Sequence, residues 1–288
     1  MTTHRVRAMF HSTAMVPDYD RTVARLAELF GLRVLEYSAQ NDPAIGRRGG
    51  MTWIGDGSIE LGEPIVDGAP PDRFVRRTGG GMQGVALWVD DFDATTAHLA
   101  AHGVPMPVVV DHFGFSSPRA THGIQFEWSD FTVPEDPRAG APSPAFVEPP
   151  LLAVTHHAFV GALVDDPITV AHEMESTFGT PITFADSDAP AGIESAGVSL
   201  GDCTLALYRF APDESLTLWG HGRERPGVSM LGLRVADLDA ARPLLHHAGV
   251  TVLREAPGRL VLDPATTGDL EITLVAELLP GDPRLTRA

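Results

Sequence analysis

Two stretches of this chain, WVDDFDATTAHLAAHGV (88–104) and RVADLDAARPLLHHAGV (234–250), align without a gap. Asp91 pairs with Asp237, Asp93 with Asp239, Leu99 with Leu245 and Gly103 with Gly249, an offset of 146 residues. The same offset joins IGDGSIEL (54–61) to LGDCTLAL (200–207), Pro118 to Pro264 and His11 to His157. One offset held over so much of the chain reads as a tandem duplication. A second offset, 73, lies inside the first half: HSTAMVPDYDRTVARLAEL (11–29) resembles GVALWVDDFDATTAHLAAH (84–102). The chain therefore has to be built from four similar modules of about 73 residues, and its fold has to accept that repetition.

Each module opens on a strand-like run, turns through an Asp-rich stretch and enters a helix. In the first helix Val23, Leu26, Ala27 and Phe30 recur at helical spacing, and Gly31 suits the C-terminal cap. The third helix opens on Asp166 as N-cap with Pro167 behind it. The fourth contains Pro243, which a helix tolerates only near its start. Strand-like runs follow, RVLEYS, MTWIGD and SIELGEP in the first module, so each module reads β-α-β-β-β. The fold class is α+β. TVPEDPRAGAPSPAFVEPP (132–150), with six prolines and no apolar periodicity, reads as a linker. This divides the chain into 1–131, the linker, 151–280 and a tail of 281–288.

The chain has 288 residues, a net charge of −17 and one cysteine, Cys203. The acidity argues against nucleic acid as a partner. One cysteine rules out an intrachain disulfide framework and a cysteine-rich zinc site. No apolar run approaches the ~18 residues of a membrane span and the N-terminus has no signal-peptide core, so a cytoplasmic protein is expected. Every Lys/Arg position is arginine, which excludes lysine Schiff-base chemistry and a Walker-type loop, and fits a GC-rich bacterial genome.

On strand alternation His11, Thr13 and Met15 share one face of the first strand, with Phe10, Ser12, Ala14 and Val16 on the other. A lone strand histidine is usually a satisfied core residue. In GIQFEWSDF, Gln125, Glu127 and Ser129 share a face, and in SIELGEP Glu60 lies opposite Ile59 and Leu61. Carboxylates set among apolar strand residues are costly to bury unless paired or metal-bound.

The paired βαβββ pattern resembles the vicinal-oxygen-chelate superfamily, which includes glyoxalase I, methylmalonyl-CoA epimerase, bleomycin-resistance proteins and extradiol dioxygenases. FHSTAMVPDYDRTV, IELGEP, GGGMQGVALWVDDFDATTAHLAAHGV and SPRATHGIQFEW are most similar to the epimerases. The resemblance implies two tandem domains with open, barrel-like sheets and a divalent metal held by one side chain from each of four strands. Its ligand positions fall on His11, Glu60, Gly84 and Glu127. Gly84 stands where a histidine is expected. Candidates to fill the gap are Gln83 (if a bulge re-aims it), His112, His122 or a water; His122 reads as a turn residue. One histidine with two carboxylates suits Mn²⁺, Mg²⁺, Co²⁺, Fe²⁺ or Ni²⁺, and Zn²⁺ less closely. The corresponding positions in the second half are His157, Ala206, Met230 and Thr273, with Glu271 a partial substitute, so that half reads as degenerate for metal.

The implied activity is metal-dependent enolate chemistry (isomerisation, epimerisation or lyase reactions) on a small carbonyl-containing carbon acid. His11, Glu60 and Glu127 would hold the metal, and Glu127 or Glu60 would move the proton. The epimerases carry a further glutamate in the region that here reads GRRGGMTWIG, without a carboxylate. Alternatives are a metal-free ligand-binding or resistance protein, a metal-independent enzyme using the same residues, and an extradiol-type dioxygenase. Arg47 and Arg48, with Arg73, Arg76 and Arg77, read as solvated basic surface, an anion clamp being the alternative. Trp53, Trp88, Trp128 and Phe126 read as core. The partner is a small-molecule substrate, and four modules in one chain allow either a monomer or a homodimer.

Overall fold

A computed structural model describes residues 4–36, 46–133, 136, 138, 150–186, 194–209 and 226–286. Its first module runs β1 (Val6–Met15), α1 (Tyr19–Phe30), β2 (Leu35–Glu36), β3 (Arg47–Ile54) and β4 (Gly57–Pro64). A connecting helix α2 (Pro70–Thr78) leads to β5 (Gly81–Val89), α3 (Phe92–Ala101), β6 (Val108–Val110), β7 (Phe113–Phe115) and β8 (Gln125–Ser129). The second half repeats the order without a connecting helix among the described residues. It runs β9 (Val154–Leu163), α4 (Pro167–Phe178), β10 (Ile182–Asp186), β11 (Glu194–Ser199) and β12 (Thr204–Arg209). It continues with β13 (Gly227–Val235), α5 (Leu238–His247), β14 (Val252–Ala256), β15 (Arg259–Leu262) and β16 (Ile272–Val275). The four βαβββ modules read from the repeat are all present.

Each half forms one open sheet of eight strands. The orders are β2-β3-β4-β1-β5-β8-β7-β6 and β10-β11-β12-β9-β13-β16-β15-β14. In the first sheet β1 and β5 run antiparallel at the centre, and each has the last strand of its own module parallel on its outer side. The four central strands are therefore the ones that carry His11, Glu60, Gly84 and Glu127.

The Asp-rich turns are the helix starts. Asp18 accepts from Arg21 N, Asp91 from Ala94 N, Asp166 from Thr169 N and Asp237 from Ala240 N. Each such cap is worth about 1 kcal/mol. Gly31 and Gly179 close α1 and α4 in the left-handed conformation. Pro243 lies at the sixth residue of α5, beyond the first turn expected for it, so the helix proceeds without that residue's backbone bond. One apolar core runs through both halves: Phe126 and Trp128 of β8 are fully buried and pack edge-on against Phe178 of α4.

Strand alternation fails at one residue of β1. The β1/β5 register shifts between Met9 and His11, so Phe10 joins Met51, Ala86 and Trp88 in a cluster separate from the main core. The Phe10 ring lies tilted against the His11 ring, with centroids 4.8 Å apart, instead of facing away from it. Trp53 packs against the same cluster, so of the four aromatics read as core only Phe126 and Trp128 lie in the main one.

The halves clasp each other reciprocally. Asp202, in the β11–β12 turn, accepts from Met9 N at 2.8 Å, and Asp56, in the β3–β4 turn, accepts from His157 N at 2.9 Å. These two aspartates are 146 residues apart. The same offset relates Asp136 and Arg138 to Asp282 and Arg284, which lie in the segments read as linker and tail. Arg138 donates to the carbonyls of Met9 (2.6 Å) and Phe10 (2.5 Å), and Arg284 to those of His157 (3.0 Å) and Ala158 (2.8 Å). Each arginine also pairs with its own fully buried aspartate, Asp136 at 2.7 Å or Asp282 at 2.8 Å. Residues 134–135, 137 and 139–149 of the segment read as linker lie outside the described residues.

Candidate metal centre

His11 on β1, Glu60 on β4 and Glu127 on β8 come together on one face of the first sheet. All three are buried, and each offers a donor atom within 4.8 Å of the other two. Register explains the meeting: Thr13 of β1 pairs with Glu60 and with Gly84, while His11 and Glu127 both pair with Ala86. Side chains at paired positions project from the same face of a sheet.

The histidine is oriented. Its Nδ1 lies 3.3 Å from the Thr13 hydroxyl, and its Nε2 lies 3.8 Å from Glu127 Oε1. A partner on one ring nitrogen fixes which nitrogen faces the acidic groups. Burial alone would lower the His11 pKa. The Glu60 charge and the hydrogen bond and charge of Glu127 outweigh it, and the net shift is upward. A cation is therefore favoured where the two carboxylates converge. The donor set, one imidazole and two carboxylates, fits a divalent ion with a preference for oxygen ligands.

Arg47 of β3 enters the same cup. Its NH1 and NH2 lie 2.7 and 2.8 Å from the two Glu60 oxygens, and its side chain is 15% exposed. This corrects the reading of Arg47 as solvated surface. The next residue, Arg48, turns to the opposite face, meets Glu63 and Asp20 and lies over the Tyr19 ring. Arg73, Arg76 and Arg77 are exposed on α2 as expected.

The fourth ligand position stays without an ionisable side chain. A Cβ on Gly84 would stand 2.9 Å from the Gln125 carbonyl oxygen and 3.4 Å from Gln125 Cβ, so the Gln125 side chain passes beside the gap. Gln125 was not among the candidates to fill it, although its alternation with Glu127 placed it on the right face. Gln83 is the unpaired residue where the β1/β5 register shifts between Thr13 and Ala14. At the equivalent shift in the second half the Ser229 hydroxyl bonds the Tyr208 hydroxyl inside that half's cup. His112 and His122 stand elsewhere: His112 is exposed beside Asp130 at 3.1 Å, and His122 sits in a turn at φ 53° and meets Glu173 at 2.7 Å.

The second cup is filled. Phe159, Ala206, Tyr208 and Met230 form an apolar cluster where the first half has Thr13, Glu60, Gly62 and Gly84. Space for Phe159 comes from Gly232, where a Cβ would lie 2.3 Å from the ring. Glu271 does not supply a ligand there; its carboxylate accepts from Met82 N of the first half at 2.7 Å. His157 is fully buried, neither ring nitrogen has a hydrogen-bond partner, and burial, with Arg284 and Arg138 adding to it, pushes its pKa down to about 3.

Two open eight-stranded sheets, each assembled from paired βαβββ modules around a cup, define the vicinal-oxygen-chelate fold. Residues 10–122 match the family profile described as Glyoxalase/Bleomycin resistance protein/Dioxygenase superfamily. Among solved structures, a mutant of 4-hydroxymandelate synthase from Streptomyces coelicolor is similar over 96% of this chain and 95% of its own, with 16% identity and a TM-score of 0.69. Methylmalonyl-CoA epimerase from Mycobacterium tuberculosis covers 49% of this chain and 97% of its own, with 21% identity and a TM-score of 0.41. A variant of the Streptomyces coelicolor epimerase, in complex with 2-nitronate-propionyl-CoA, covers 43% and 96%, with 22% identity and a TM-score of 0.39. No curated protein matches the chain. No described helix is long and apolar enough to cross a membrane.

Proposed function

We propose that the first half, residues 1–131, is a metal-dependent enzyme acting on a small carbonyl-containing carbon acid, with a divalent ion held by His11, Glu60 and Glu127. The observation that carries this reading is the convergence of three buried donors from three strands, one of them oriented by Thr13. When bound, the ion supplies Lewis-acid stabilisation of a developing enolate oxygen. The chain's own residues divide the remaining work. Arg47 bonds Glu60 Oε1 and lies against Oε2 as an ion pair, which suits a permanent ligand. Glu127 has no such clamp among the described residues and is the carboxylate assigned to carry the proton to and from the carbon. Thr13 holds the His11 ring, and Phe10, Met51 and Trp88 form an apolar wall that limits water beside the reacting carbon. Isomerisation, epimerisation and lyase chemistry share this step, and they are the reaction classes the reading covers.

Glutamine oxygens are hard neutral donors, and Gln83 and Gln125 flank the fourth position. Residues 151–280 act as a structural partner, their cup closed by Phe159 and Met230. A second reading, a metal-independent cup, is favoured by one observation: the Arg47 fork already offers Glu60 a cation.

Titration of chelator-stripped protein with Mn²⁺ by calorimetry decides between them. The proposal expects one site per chain, lost in His11→Ala and in Glu127→Gln. Absence of uptake, with substrate turnover in the stripped protein, would establish the second reading.

A further inference from the structure

The strand registers lay the cup out in rows. Thr13 of β1 pairs with Glu60 of β4 on one side and with Gly84 of β5 on the other, and Gly84 pairs in turn with Gln125 of β8. His11, Ala86 and Glu127 form the next row. Gly84 and Ala86 are therefore the floor between the strand of His11 and the strand of Glu127. At Gly84 that floor has no side chain.

Gln125 borders this space. It precedes Glu127 by two residues and shares its face. A Cβ at residue 84 would stand 3.4 Å from Gln125 Cβ and 3.6 Å from its Cγ, so the stem of the glutamine runs alongside the place where a side chain at 84 would be. The residue is half-buried, and no hydrogen bond engages its side-chain amide among the described residues.

The second half shows the alternative. The offset of 146 puts Met230 at the position of Gly84 and Glu271 at that of Gln125. Met230 belongs to the apolar filling, and the Glu271 carboxylate goes to Met82 N of the first half. Gly84 with Gln125, and Met230 with Glu271, are thus two ways of filling one pair of positions. Gln83 is the other amide near the gap. Its counterpart Ser229 meets Tyr208, which stands at the position of Gly62. Gly62 pairs with Met15, one row beyond Glu60 and two beyond His11 and Glu127.

We propose that Gln125 supplies, through its side-chain oxygen, the fourth protein ligand that Gly84 cannot. β8 then gives two ligands two residues apart, in place of one ligand from each of four strands. The inference rests on the metal reading of the cup and adds the ligand count and the donor type. An amide oxygen is a hard, neutral donor, which favours Mn²⁺ or Mg²⁺ over Zn²⁺.

The test titrates chelator-stripped protein with Mn²⁺ by calorimetry and reads the number of waters on the ion from the paramagnetic relaxation of solvent protons. Gln125→Ala should weaken Mn²⁺ binding by about tenfold or more, since even outer partners of metal ligands are worth that much, and should add a bound water. Gln125→Glu keeps an oxygen donor and should restore both the affinity and the wild-type water count. Gln125→Met, close in volume but without the oxygen, stands in for the alanine variant if that variant does not fold. Gln83→Ala is measured beside them to separate the two amides. Affinity and water count unchanged when the Gln125 oxygen is removed, or a loss that appears in Gln83→Ala in its place, would overturn the inference and leave the metal reading standing. Wild-type protein that takes up no Mn²⁺ would overturn both.

Discussion

Replacing Arg284 with alanine probes the clasp between the halves. Arg284 is 11% exposed and bonds Asp282 at 2.8 Å, Asp56 at 2.9 Å and the carbonyls of His157 and Ala158 at 3.0 and 2.8 Å. Asp282 is fully buried; burial raises its pKa, but the bonds from Arg284 outweigh this and hold it below the usual carboxylate range. Truncation leaves that carboxylate with the backbone N–H of residue 284 at 2.9 Å and the Thr204 hydroxyl at 3.1 Å but no guanidinium of its own, and takes the arginine donors from two strand carbonyls. Breaking a buried pair in this way costs about 3–5 kcal/mol. Part of the Asp56 contact is exposed and adds little. Urea unfolding at pH 7 should show the loss as a lower midpoint with an unchanged slope. In the variant the Asp282 pKa rises, because the guanidinium's hydrogen bonds and charge no longer oppose burial, so the deficit should shrink as pH falls toward about 4. A loss below about 1 kcal/mol, or a deficit independent of pH, would refute the reasoning.

Further outcomes follow from the same geometry. His157 stays neutral in the fold down to about pH 3 but titrates near 6.5 when unfolded. Its depressed pKa therefore contributes stability that is present above 6.5 and lost as pH falls, at about 1.4 kcal/mol per pH unit. His157→Leu should remove that slope from urea midpoints measured between pH 7 and 5; parallel wild-type and variant curves would contradict it. The raised pKa of His11 has the opposite sign: its stabilising proton is fully held below 6.5 and lost as pH rises through the folded value. Mn²⁺ must displace that proton, so calorimetric affinity should rise about tenfold per pH unit below the His11 pKa and level off above it. Gly84→Ala should cost about 1–3 kcal/mol in urea unfolding, because its Cβ meets the Gln125 carbonyl oxygen. For the same reason, a histidine introduced at 84 should not simply restore a fourth ligand.

The four modules, the Asp caps and the convergence of His11, Glu60 and Glu127 are legible in the sequence because an exact offset and strand alternation both report on the sheet. Alternation gives residues that share a face, and the three donors do share one. It does not count through a bulge, which is why Phe10 ends beside His11 and why Gln83 stands unpaired. Nor does it say which face is buried, so Arg47 and Arg48, adjacent and identical in type, were read alike although one enters the cup and the other leaves it. Asp136–Arg138 and Asp282–Arg284 obey the offset of 146, but they lie in proline-rich and terminal segments without apolar periodicity. Their signal is polar and depends on long-range partners. Gln125 was hidden by its neutrality: a search for ionisable ligands passes over an amide that approaches the gap only because residue 84 is a glycine.

The most direct test of the metal centre is diffraction from crystals soaked in Mn²⁺, with anomalous differences recorded above and below the manganese edge. The account predicts one strong peak per chain, within about 2.0–2.4 Å of His11 Nε2 and of carboxylate oxygens of Glu60 and Glu127, and no peak in the cup lined by Phe159 and Met230. A cup of the first half that stays free of anomalous density at saturating Mn²⁺, with Arg47 still paired with Glu60, would contradict it.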